Sequence, residues 1–164
     1  MWKILALILI LFVIYRLPLK GEIPIDMTEK AKEIDRMSKD KLELVKNVYD
    51  YVNQSYTSPI RQYLQEPNKI FIKNIKTIWN LRGSYIPSNA QNEMAKQLLL
   101  LTGKFNESHF RTEQTFCEIS PHSILFVNVD GKEIVLDLWF SDNGGMFNCY
   151  TFRPCGVEQI KCLN

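Results

Sequence analysis

Three polar side chains, Ser88, His122 and Asp137, are of the types and in the order that acyl-transfer chemistry needs. A hydroxyl becomes a nucleophile when an imidazole takes its proton, and a carboxylate beside the imidazole fixes its tautomer and steadies the cation that forms. Ser88 opens residues 86–103, IPSNAQNEMAKQLLLLTG, which read as one helix. Ser88 is a preferred N-cap type, Gln91 three residues on completes a capping-box pattern, and Gly103 is a natural stop. Backbone N–H groups converge at a helix start and the dipole there favours negative charge. That place suits a nucleophile, an oxyanion or a plain cap equally well. His122 follows Pro121 at the head of an apolar, β-rich run, and Asp137 lies inside a second such run, KEIVLDLW. A carboxylate in a buried run needs a partner. The other histidine, His109, has no supporting pattern and reads as a surface residue.

These residues need a helix and a hairpin to bring them together. Asp130-Gly131 is a strong two-residue turn signal between residues 122–129 and 132–139. Pairing about that turn sets Asp137 opposite Ser123 or a neighbour, with His122 beside it. In residues 86–103, Met94, Ala95, Leu98, Leu99 and Leu101 form an apolar stripe at helical spacing. Upstream, residues 28–37 read as a surface helix. Ser38 caps a better one over residues 39–53, striped by Leu42, Val45, Tyr49 and Val52. Residues 57–67 are a loop broken by Pro59 and Pro67, and residues 70–81 form a further helix. Strands are expected over 111–118, 122–129, 132–139 and 146–152. Helices first and then an antiparallel sheet make the fold class α+β, with the helices packed on the sheet.

The chain of 164 residues has 46% hydrophobic and 23% charged residues, enough for one domain with a core. A net charge of +2 gives no footing for nucleic-acid binding. The N-terminus differs in kind: residues 4–15 are an unbroken apolar run between Lys3 and Arg16. Twelve residues rise roughly 18 Å against a bilayer core of about 30 Å, and flanking Trp2 and Leu17, with snorkelling cations, bring a span within reach. Residues 15–21 lack a small-x-small cleavage pattern. The expectation is an uncleaved signal anchor over residues 1–17, a linker over 18–27 and one domain over 28–164, held on the extracytoplasmic side of a membrane. Cys117, Cys149, Cys155 and Cys162 all lie in the C-terminal third, in a cysteine-rich tail. Four clustered cysteines behind a signal-like segment suggest two disulfides and an oxidising compartment, without choosing among three pairings. The spacing has no CxxC pair, so no metal and no cofactor is expected.

The order of the three site residues resembles the transglutaminase-like superfamily, which has a papain-like fold. In that family a catalytic Cys opens a central helix, a His starts a strand, and an Asp follows in the next strand after a Gly-containing turn. Here Ser88 opens SNAQNEMAKQLLLLTG, His122 opens HSILFVNVDG, and Asp137 opens DLW. The likeness covers roughly residues 38–139, and Ser88 stands where the family has its Cys. A helix terminus and an imidazole can ionise a thiol but not a hydroxyl, so the resemblance implies a degenerate site and argues against an enzyme. It implies a membrane-anchored extracytoplasmic domain acting in binding or assembly with a protein partner. Two alternatives stay open: an active Ser-His-Asp hydrolase or amidase on peptide or cell-envelope substrates, and a structural part of an envelope or virion assembly.

Overall fold

The computed structural model describes residues 17–57, 65–115, 122–142, 145–152 and 159–163, together with residues 2, 10, 13 and 14. Cys117, Cys155, most of the apolar run and most of the loop expected over 57–67 lie outside the described residues.

Helix α1 (Ile25–Met37) begins behind Pro24, with Asp26 in its first turn and Arg36 in its last, each placed to complement the helix dipole. Met27, Ala31 and Ile34 recur at helical spacing and are buried, so this helix belongs to the core rather than the surface. Ser38 does not cap the next helix. Its hydroxyl donates to the Ile34 carbonyl at 2.7 Å and closes α1. Asp40 caps α2 (Lys41–Ser55) instead, accepting from the Glu43 N–H at 2.8 Å. The helix expected over residues 70–81 is divided into a 3-10 turn (Pro67–Phe71) and α3 (Ile75–Asn80). The break has a cause: residues 73–75 pair with Lys20, whose N–H donates to the Lys73 carbonyl at 2.7 Å and whose carbonyl accepts from the Ile75 N–H at 2.9 Å. Residues 17–24 therefore dock on the domain, with Leu19 and Ile23 packed against the core.

Helix α4 (Ser88–Leu101) is central, touching α1, α2, α3 and the sheet. Three antiparallel strands, β1 (Phe110–Thr115), β2 (His122–Val129) and β3 (Lys132–Leu136), lie in the order β1-β2-β3. The β2–β3 turn has Asp130 and Gly131 at φ 50° and 88°, the left-handed values that match the twist of paired strands. Strand alternation then sorts β2. Leu125, Val127 and Val129 join Met94, Leu98 and Leu99 of α4 in the main core, while Ile124 and Phe126 face the other side with Val135.

The second face is covered by a ribbon of β4 (Cys149–Phe152) and β5 (Gln159–Cys162). Tyr150 packs edge-on against Phe126 with ring centroids 5.6 Å apart, and Asn148 Oδ1 accepts from the Val135 N–H at 2.9 Å. The sheet is smaller than expected. Strand β3 stops at Leu136, and residues 138–142 turn into α5 (Leu138–Asp142). Residues 149–152 pair with β5 rather than extending the three-stranded sheet.

The fold is α+β, but the N-terminal membrane-anchor helix expected over residues 1–17 is overturned. Among the described residues no helix is long and apolar enough to cross a membrane. Length is the physical reason, since a spanning helix needs about twenty apolar residues and this run has twelve.

Candidate functional site

Asp137 is fully buried, and its carboxylate is saturated by donors from three elements. Oδ1 accepts from the Phe140 N–H at 2.9 Å, which makes Asp137 the side-chain cap of α5. Oδ2 lies 3.1 Å from His122 Nε2 and accepts from the Thr151 N–H of β4, also at 3.1 Å. A buried carboxylate is costly unless hydrogen-bonded, and these three contacts meet that condition. The register explains the His122 contact. Leu125 pairs with Leu136, so one step beyond the last pair Asp137 falls level with Ile124, and His122 is the next residue on that face. His122 keeps a side-chain exposure of 16%, with Trp139 packed on it at 5.1 Å between ring centroids.

Nε2 is committed to Asp137, so Nδ1 is the ring nitrogen left to receive or give a proton. Among the described residues, the Asp137 contact is the one hydrogen bond of the His122 side chain. Tyr49 of α2 lies close enough to feel the Asp137 charge. Burial pushes its phenol pKa up, and the Asp137 charge adds to the shift. Ser141 of α5, beside it, accepts from Asn53 Nδ2 at 2.8 Å.

Ser88 is the first residue of α4, not its cap. Pro87 holds the N-cap position, and no side-chain cap bond is made. The capping box read from Ser88 and Gln91 does not form, because Gln91 turns into the core. It is 0% exposed, and among the described residues neither its amide nitrogen nor its amide oxygen has a partner. One turn beyond Ser88, Asn92 Nδ2 donates to Ser123 Oγ at 3.1 Å, and Asn92 Oδ1 is unpartnered. The buried face of α4 is thus polar at Ser88, Gln91 and Asn92 and apolar from Met94 onward.

The Asn92–Ser123 bond brings the start of α4 to the His122 end of β2. Ser123, with Leu125 and Val127, faces α4, whereas His122 belongs to the face covered by the ribbon. His122 and Asp137 therefore meet directly, and the Asn92–Ser123 bond brings the start of α4 to the same end of the strand. Sequence reasoning missed Asn92, Trp139 and Thr151. Only Asn92 carried a signal, as a polar residue four positions after Ser88.

Of the four cysteines, Cys149 and Cys162 are joined by a disulfide across paired positions of β4 and β5. Cys149 is 5% exposed and Cys162 lies on the surface.

Fold and site together define a small α+β domain with a buried aspartate paired to a half-buried histidine at the junction of sheet and ribbon. No family model matches the chain, and no curated protein or solved structure is similar enough to be paired with it.

Proposed function

We propose that this chain is a non-catalytic domain of transglutaminase-like type that acts by binding a protein partner or in an assembly, in an oxidising compartment. The observation that carries the reading is the alcohol of Ser88 at the start of α4, where the family has its thiol. The buried Asp137 carboxylate holds His122 Nε2 at 3.1 Å. An alcohol at a helix start cannot be ionised as a thiol can, so it becomes a strong nucleophile only when a base takes its proton. The polar face of α4 and the saturated Asp137 carboxylate then serve the architecture. The Cys149–Cys162 bond supports the oxidising compartment.

A fluorophosphonate probe tests this on the full-length chain. The expected result is no adduct on Ser88 under conditions that label a serine hydrolase. An adduct on Ser88 that disappears in Ser88→Ala and in His122→Ala would replace the proposal with a Ser-His-Asp hydrolase acting on peptide or cell-envelope substrates. The second reading draws its support from the His122–Asp137 contact, which leaves Nδ1 without a partner among the described residues.

A further inference from the structure

The β4–β5 ribbon does two things at once. It covers the second face of the sheet through Tyr150 and Leu163, and its Thr151 N–H donates to the Asp137 oxygen that also meets His122. The disulfide joins the outer ends of the ribbon, where Cys149 pairs with Cys162. The two sulfurs differ in access: Cys149 is buried against the sheet, and Cys162 lies on the surface. Inside the ribbon the ladder is only four residue pairs long, and a two-stranded ribbon of that length is marginal by itself. Asn148 adds ties at the same end: its Oδ1 accepts from the Val135 N–H, its carbonyl accepts from the Leu163 N–H at 3.0 Å, and its Nδ2 donates to the Leu163 carbonyl.

We propose that the Cys149–Cys162 bond is a thiol-sensitive clamp on the aspartate–histidine pair. The reductant is a dithiol. Its thiolate attacks the accessible Cys162 sulfur, the Cys149–Cys162 bond breaks, and Cys149 leaves as a thiolate that takes a proton from water. The second thiolate of the reductant then displaces Cys162 from the mixed disulfide. The dithiol leaves oxidised and two protein thiols remain, so two electrons have passed to the protein. Reduction frees β5, and the ribbon opens away from the sheet without the rest of the fold. Asp137 then keeps its Phe140 donor but loses the Thr151 donor, and the constraint on His122 loosens. The inference does not depend on whether Ser88 reacts.

Amide hydrogen exchange on the full-length chain tests it, before and after treatment with dithiothreitol, with peptide mapping to show that Cys149 and Cys162 have become alkylatable. The expected result is exchange at Thr151 and Leu163 faster by about tenfold or more, with Leu125 and Val127 unchanged, the pattern of local rather than global opening. Cys162→Ser should reproduce it without reductant. Unchanged exchange at Thr151 after full reduction would overturn the proposal, because packing alone would then hold the ribbon. Equal acceleration at Thr151 and Val127 would overturn it too, because the bond would then be a staple for the whole fold. Brief treatment with glutathione should leave the mixed disulfide on Cys162, and an adduct confined to Cys149 would reject the direction of attack. None of these readouts uses the fluorophosphonate reaction, so failure here leaves the reading of Ser88 where it stood.

Discussion

His122 and Asp137, fifteen residues apart in the chain, meet at 3.1 Å between Nε2 and Oδ2 because a two-residue turn folds one strand back on the other. The same carboxylate caps α5 and accepts from β4. The contact therefore joins strand, helix and ribbon at one buried point, and the first test addresses it.

Asp137→Asn keeps the shape but removes the charge and one acceptor, leaving at least one of the three donors without a proper partner. Stability is expected to fall by about 1–3 kcal/mol, the cost of an unsatisfied buried polar group. Urea denaturation with an unchanged m-value checks it. A loss within error of zero would mean the network is slack.

Gln91→Met is expected to act in the opposite direction. The wild-type amide is buried with neither its nitrogen nor its oxygen bonded among the described residues, and methionine has nearly its shape with no such group to satisfy. Stability should rise by about 1 kcal/mol, read as a higher urea midpoint. A lower midpoint would show that the Gln91 amide has a partner in solution.

Leu98→Ala and Leu42→Ala form a matched pair. Leu98 is fully buried on the face of α4 that meets the sheet, and Leu42 is 46% exposed on α2 although it falls on the apolar stripe read from sequence. The first should cost about 2–5 kcal/mol and the second under about 1 kcal/mol. Equal losses would contradict the packing of α2.

Alkaline pH should stabilise the chain before it destabilises it. Burial lowers the Lys73 amine from 10.5 to about 8, so between those values the unfolded chain holds a proton there that the folded chain does not. Stability therefore rises with pH through that window. Burial also raises the Tyr56 phenol above its ordinary 10.0. Above that pH the folded chain retains a proton the unfolded chain gives up, and stability falls. Urea midpoints at steps from about pH 7 to 11 should show the rise and then the fall, and Lys73→Met should remove the rise alone. A wild-type midpoint that stays flat from about pH 8 to 10 would reject the assignment.

The elements that could be read from the sequence are those whose signals are local. The residues around Gly131 dictate a turn, since Asp-Gly readily takes the pair of left-handed conformations with which a two-residue link joins these strands. The stripe of Met94, Ala95, Leu98 and Leu99 dictates a helix with one buried face. From the turn and the strand period alone, His122 and Asp137 follow as neighbours.

What tertiary structure alone decided is where competing local options went. Ser38 and Asp40 are both cap types, and the chain uses Asp40 as the cap while Ser38 closes the preceding helix. Residues 137–142 could have continued a strand, but the Asp137 carboxylate found the Phe140 N–H and turned them into α5. Pairing with Lys20 split the helix expected over residues 70–81. Cys149 found Cys162 through the register of a ribbon that sequence spacing could not set. The side of the sheet on which His122 lies, relative to α4, depends on which face each layer covers. Periodicity reports that a face is buried but not what buries it, and for that reason the relation of Ser88 to His122 could be read only from the packed molecule.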